Sequence, residues 1–257
     1  MNVVLTVLGS GTSTGVPTIG CNCSVCNSSD PRDNRTRPSV LVQYDGRSVL
    51  IDTTPDFRQQ ALREGIQAID AVLYTHHHAD HVLGLDDLRP ISFRSPEKIP
   101  LYAHGDTCST LRSMFSYIFN PSYKFGGIAR VELHELDGRP LPLFGVTFEP
   151  VVVLHGDLEI YGYKLGKTAY LTDFSEIPER SMEKLQDLDI LFLDALRRVP
   201  HPTHSTLDNS LRIVNMLKPR QAFFTHISHD LPHRATNESL PPNVRLAHDG
   251  LRIDFAI

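Results

Sequence analysis

The chain of 257 residues contains no tryptophan, only four cysteines and only four methionines. It has no surplus of positive charge either: 25 Lys and Arg stand against 30 Asp and Glu, a formal net charge of -5. That balance disfavours bulk attraction to nucleic acid or to an anionic membrane surface, leaving only a local basic patch as a route to either. No apolar run approaches the ~20 residues that a membrane-spanning helix requires. The opening Met1-Asn2-Val3-Val4-Leu5-Thr6-Val7-Leu8 lacks a basic segment and a cleavage site, so it reads as a first strand and not as a signal peptide. Long Pro/Gly/Ser linkers, low-complexity tracts and clear repeats are missing too, which predicts one domain over residues 1–257. With charged residues at 21%, the composition is otherwise that of an ordinary soluble protein, and a cytoplasmic location is the expectation.

What remains is organised as short β-type runs separated by helical spacing. Ser39 to Tyr44 and Arg47 to Asp52 flank Asp45-Gly46, a hairpin signal. Pro55 to Gly65 has helical spacing with Pro at its start and Gly at its end. Ala71 to Thr75 reads as a buried strand, followed by strand-rich sequence from Arg130 to Thr172, a helix near Pro178 to Asp187 and a strand from Ile190 to Leu193. A helix from Thr206 to Leu217, a strand from Gln221 to Thr225 and a last strand after Asp249-Gly250 complete the pattern. Strands and helices in both halves favour sheets covered by helices, an α/β arrangement.

The few cysteines are not scattered. Cys21, Cys23 and Cys26 form C-x-C-x-x-C, a spacing that suits metal ligation in a reducing compartment better than a disulfide framework. A closed zinc site wants four ligands, so a fourth is needed: Cys108 or a histidine. Thirteen histidines are present, and the strongest signal in the chain is Thr75-His76-His77-His78-Ala79-Asp80-His81. On an extended strand His76 and His78 point to the same side, and Asp80 and His81 follow where the chain must turn. Imidazole with carboxylate suits zinc, manganese or iron rather than calcium or magnesium. An apolar strand feeding four such groups is costly to leave without a partner.

His76-x-His78-x-Asp80-His81 resembles the H-x-H-x-D-H signature of the metallo-β-lactamase fold hydrolases. The resemblance extends through Gly9-Ser10-Gly11-Thr12-Ser13, Ile51-Asp52-Thr53, Gly84-Leu85-Asp86-Asp87-Leu88-Arg89, Leu171-Thr172-Asp173 and Thr225-His226-Ile227-Ser228-His229. The early C-x-C-x-x-C is similar to that of the branch containing the phosphodiesterase of the carbon–phosphorus lyase pathway. The family fold it implies is an αββα sandwich, two mixed β-sheets face to face with helices outside. The resemblance further implies a binuclear site of two divalent metals (Zn, Mn or Fe). His155, at the end of an apolar run, is the expected third ligand beside His76 and His78. Asp173 is the expected bridging carboxylate, and His226 the expected third ligand beside Asp80 and His81. Asp52 reads as a partner orienting a ligating imidazole, although a strand-ending carboxylate equally caps turns. His204, just before the helix from Thr206, is the expected general acid or phosphate-oxygen donor, with His201 the competing choice. The branch places a histidine at the position of His229, which makes Cys21, Cys23, Cys26 and His229 the expected structural zinc site.

Two metals sharing a water lower its pKa and neutralise charge on a phosphate. The expected activity is thus a phosphodiesterase acting on small or cyclic phosphodiesters, Asp80 and His204 being essential to it. Within the fold, lactone or thioester hydrolysis and transfer-RNA 3′ processing are the alternatives, and the net charge weighs against the second. A non-enzymatic cofactor-biosynthesis accessory role is the reading from another class; the complete ligand set argues against it. Arg89 is expected to be structural. Arg32, Arg35 and Arg37 read as a solvated basic loop. The aromatic stretch from Met114 to Phe125 has three open roles: core packing, a subunit contact in a homodimer, or a lid.

Overall fold

A computed structural model describes residues 1–120, 122–123 and 126–257. In the strand Ile190–Asp194 every residue is buried, and alternate side chains enter two different cores. Ile190 and Phe192 pack with Val3, Leu5, Phe148 and Tyr163, whereas Leu191 and Leu193 pack with Leu207, Val214, Leu217 and Phe224. Asn2–Gly9 behaves likewise: Val3, Leu5 and Val7 face the first core, and Leu8 joins a third with Leu50, Phe57 and Val82. A strand buried on both faces must be covered on both faces, so the continuous apolar runs dictate sheets between layers. The outcome is the αββα sandwich expected from the resemblance: one core between two sheets, and one between each sheet and its outer helices.

Among the described residues each sheet has seven strands. The first contains β1 (Asn2–Gly9), β2 (Ser39–Tyr44), β3 (Arg47–Ile51), β4 (Ala71–Leu73), β5 (Ile99–His104), β6 (Val131–Leu136) and, on the outer side of β1, Arg252–Ala256. The second runs from β7 (Leu141–Leu143) through β8 (Val146–His155), β9 (Leu158–Leu165), β10 (Thr168–Leu171), β11 (Ile190–Asp194) and β12 (Gln221–Thr225) to β13 (Val244–Leu246). The sheets are mixed. β3 to β6 are parallel and so are β10 to β13, while the hairpins β2–β3 and β8–β9 are antiparallel. In parallel stretches the carboxyl ends of several strands open on one side, where loops converge and ligands bind. Here those ends belong to β3, β4, β10, β11 and β12.

Element limits differ from the sequence expectation mainly at strand ends. β4 stops at Leu73, so His76 and His78 are not on a strand, and strand alternation does not explain their shared direction. His78 instead precedes a one-turn helix, Ala79–Val82, which carries Asp80 and His81. Gly84 holds this turn against the sheet: a Cβ there would lie 2.0 Å from the Thr54 carbonyl oxygen. In the aromatic stretch Phe115 and Ile118 belong to the core under the first sheet, with Tyr117 and Phe119 packed against it. Phe125 lies outside the described residues.

Candidate active site

Three residues that close strands stand in the left-handed backbone region: Asp52 after β3 (φ 66°), Asp173 after β10 (φ 57°) and His226 after β12 (φ 55°). Non-glycine residues seldom take this conformation, and such strain concentrates at functional sites. Each sharp turn points a polar side chain into the gap at the strand ends instead of along the sheet. His155 closes β8 and Asp194 closes β11 on the same side.

The seven expected ligands come together in two groups. His76, His78 and His155 each offer a nitrogen, and these atoms lie within 4.8 Å of one another. Asp80, His81, Asp173 and His226 form a second group under the same limit, with all four residues buried. Asp173 also reaches the first group, since its carboxylate falls within 4.8 Å of donor atoms of His155 and His204. It stands 3.3 Å from His81 Nε2 through Oδ2 and 3.1 Å from His226 Nε2 through Oδ1.

Ring orientations are set from outside the cluster. Asp52 is wholly buried and accepts from the Thr75 backbone N–H and hydroxyl, each at 2.8 Å, and from His81 Nδ1 at 2.7 Å. His81 is thereby turned so that Nε2 faces Asp80 and Asp173. His155 donates from Nδ1 to the Thr203 carbonyl at 2.8 Å, leaving Nε2 for the cluster. Asp52 thus orients an imidazole; Thr75, which does the orienting of Asp52 and also contacts His76 Nδ1 at 3.0 Å, was not legible as a site residue.

Whether these residues fit divalent cations can be asked of the unsatisfied atoms. Among the described residues His76 Nε2, Asp80 Oδ2, His81 Nε2 and His226 Nε2 are buried without a well-aligned hydrogen bond, although His81 and His226 lie against the Asp173 carboxylate. A buried polar atom left unmatched costs on the order of 1–3 kcal/mol, and four converging on one space are an arrangement that a Lewis acid resolves. The donor set, imidazole nitrogen plus carboxylate, is that of zinc, manganese or iron. The residues fit.

The charges within the cluster point the same way. Burial alone would depress the pKa of His226, but Asp173 and the Asp80 contact outweigh it and hold the ring up at about 10. His81 is likewise raised, against burial, by Asp173, Asp80 and Asp52. His76, farther from carboxylates, is pushed down by burial and the His81 charge. The neighbouring carboxylates thus favour the protonated form of both His81 and His226, and a bound cation competes with those protons. Metal loading at pH 7 is expected to release protons, and affinity should rise by about tenfold per pH unit for each proton displaced. Calorimetric titration in buffers of different ionisation enthalpy measures this; an identical heat in all buffers would rule it out.

His204 stands beside the cluster. Its Nδ1 donates to Asp194 Oδ2 at 2.8 Å, and its ring stacks on His226 at 4.6 Å between centroids with an 11° interplanar angle. His201, 5.0 Å away between centroids, has no such carboxylate; its Nδ1 meets the Thr203 hydroxyl at 3.2 Å. Asp194 was missed in the sequence, yet it ends an apolar strand as Asp173 follows one, and that rule would have found it.

The cysteine loop forms a separate group. Cys21, Cys23 and Cys26 Sγ lie 3.2, 3.6 and 3.4 Å from His229 Nδ1. With Zn–S near 2.3 Å and Zn–N near 2.05 Å, a tetrahedron has S···N edges of about 3.5 Å. The three S···N distances are those such a tetrahedron requires. The Cys26 N–H donating to Cys23 Sγ lowers the Cys23 thiol to about 6, toward the thiolate a metal takes, whereas burial pushes Cys26 up. Cys108 is elsewhere, buried in the core under the first sheet. Cys21→Ser is expected to remove one zinc per chain and lower Tm by roughly 5–10 °C. A variant keeping its full zinc complement would defeat the assignment.

The expectation of a solvated basic loop fails at Arg35. Its side chain is buried, 2% exposed, and donates to the carbonyls of Ser228 at 2.7 Å and Leu231 at 2.6 Å and to Asp33 at 2.9 Å. The reason is tertiary: the cysteine loop folds over the segment after β12, whose orphan carbonyls need a donor. Arg89 behaves as expected, bonding the Gly127 carbonyl at 3.0 Å.

A family model described as a beta-lactamase superfamily domain matches residues 47–227. The chain belongs to the beta-lactamase superfamily. Within the superfamily, a crystal structure of a diphosphatase from the PhnP family aligns over 99% of this chain and 98% of its own, with 61% identity and a TM-score of 0.94. The Zn²⁺-bound PqqB from Methylobacterium extorquens shares the fold at 24% identity and a TM-score of 0.79, covering 99% of this chain and all of that one. An octanoyltransferase of Porphyromonas gingivalis is 41% identical over 95% of this chain, but over only 50% of its own length. The chain thus spans about half the length of that curated relative. No helix among the described residues is long and apolar enough to cross a membrane.

Proposed function

We propose that this chain is a divalent-metal-dependent hydrolase that cleaves small phosphodiesters, His204 delivering a proton to the departing oxygen. One observation carries the reading: Asp173 lies within ligand distance of Asp80, His81 and His226 on one side and of His155 on the other, with the His204–Asp194 pair beside them. His76, His78 and His155 would hold one cation, Asp80, His81 and His226 the other, and Asp173 both. When bound, such a pair supplies a water of lowered pKa and neutralises charge on the phosphate. Asp52 keeps the His81 ring aimed, and the Thr203 carbonyl does the same for His155. Asp194 fixes the tautomer of His204 with the proton on Nδ1, so Nε2 is free to carry a second, transferable proton. Stacking on His226 holds that ring parallel to a ligand ring, so the donor cannot swing away.

The likeness to a PhnP-family diphosphatase supports phosphoryl chemistry and adds the phosphoanhydride P–O–P bond to the substrates considered. The cysteine site is proposed as structural, and the chain as acting on small molecules in the cytoplasm. The test is metal analysis with a panel of bis(p-nitrophenyl) phosphate, cyclic nucleotides, a dinucleoside diphosphate, a lactone and an octanoyl thioester. About three metals per chain are expected, with turnover confined to the phosphate compounds. Robust lactone or thioester turnover with none on phosphates would overturn the reading.

A further inference from the structure

A cavity of about 390 Å³ opens at the edge of the sandwich, between β12, β13, the segment before the last strand and the helix His233–Ser239. It shares no lining residue with the metal-ligand groups. Its apolar wall is Phe223, Leu246 and Leu251. Its polar side carries Arg234 and Arg245 against one lining acid, Glu238, together with Arg32, whose guanidinium is held by Asp30 at 2.8–2.9 Å.

Two imidazoles complete the lining. His233 is 4% exposed, and its Nδ1 is buried without a hydrogen-bond partner. His248 meets it edge-on at 5.7 Å between ring centroids and donates from Nδ1 to the Asp249 carbonyl at 3.0 Å; its other nitrogen has no hydrogen bond among the described residues. Burial first, and then the charges of Arg32 and Arg35, hold His233 down at about 4. Arg245 spends one nitrogen on the carbonyls of Pro241 and Val244, which fixes the guanidinium and leaves further N–H groups. A guanidinium fork presents planar paired donors suited to phosphate or carboxylate. An apolar wall beside a few convergent polar groups is the usual form of a small-molecule site.

We infer that this cavity is a second binding site, distinct from the metal-ligand cluster, for an organic phosphate with a flat apolar body. The apolar wall takes the body, and Arg234 and Arg245 with His233 and His248 take the phosphate. Bare inorganic phosphate would leave the wall uncovered and a neutral aromatic would leave the cations unpaired, so both should bind more weakly than a molecule that has the two parts. The inference does not depend on which reaction the metal site performs.

The experiment titrates the metal-loaded protein with phenyl phosphate by calorimetry, first alone and then in excess inorganic phosphate to occupy the metal cluster. Two events are expected alone, and one surviving event of unit stoichiometry in excess phosphate. That event should weaken at least tenfold in Arg234→Glu and in Arg245→Glu, both exposed positions, with unchanged melting curves. Benzyl alcohol should show no such event. A single event abolished by inorganic phosphate would overturn the inference in the wild-type protein alone. A second event of equal affinity in both variants would also overturn it, by placing the ligand elsewhere.

Discussion

Asp173→Asn is expected to reduce phosphodiester turnover by about 10³-fold or more while the protein stays folded. Asparagine is chosen because it tolerates the left-handed backbone at position 173, where φ is 57°, so the variant tests charge and not strain. The wild-type carboxylate is held ionised: burial opposes its charge, but His226 and His81 on either side outweigh that penalty and keep its pKa well below the usual range. Removing this negative charge leaves both ligand groups short of a shared donor. The expected result has two parts, a fall in kcat and a loss of bound active-site metal, with the cysteine site still loaded. Rates on bis(p-nitrophenyl) phosphate and metal content by mass spectrometry measure both. A variant that keeps two active-site metals and more than a tenth of the activity would show that Asp173 is not shared between them.

The second large effect concerns proton delivery. His204→Ala should lower kcat for a phosphodiester with an alkoxide leaving group by about 10²–10⁴-fold, the range for a lost general acid. For a p-nitrophenolate leaving group, which departs without a proton, the loss should be far smaller. Asp194→Asn should reproduce the pattern more weakly, since it disturbs only the tautomer and the aim of His204. Equal losses on both leaving groups would mean that His204 binds the phosphate instead. The histidine lies outside both proposed ligand sets, so metal content should not change in either variant; a change would recast it as a ligand.

Much of the cluster was legible because metal chemistry restricts residue types. His76, His78, Asp80 and His81 are close in sequence, and a local constellation is visible without a fold. His155, Asp173 and His226, each at the end of an apolar run, were expected only through the family resemblance. What escaped were residues whose role exists only across the molecule. Thr75 looks like a strand residue until Asp52 is placed opposite it. Asp194 lies ten positions from His204, in a strand whose continuous burial masks a functional end. Arg35 was read as solvated because its nearby acid, Asp33, gives no sign that the pair is buried. What buries the guanidinium are carbonyls almost two hundred residues away.

The sequence by itself called for strands covered by helices and carried a local cluster of metal-binding residue types. Continuous apolar runs such as Ile190 to Leu193 call for cover on both faces of a sheet, and clustered imidazoles, carboxylates and thiols suit divalent metal. Only the tertiary structure decided the distances on which function rests. It made Asp173 common to two groups, assigned His204 and not His201 the buried carboxylate, and brought His229 to within 3.2–3.6 Å of three thiols. The physical reason is that hydrophobic patterning is a local, non-directional signal, while ligation and proton transfer act over a few ångströms between side chains from distant strands. Their geometry is fixed only when both sheets have packed and the turns at Asp52, Asp173 and His226 have been forced.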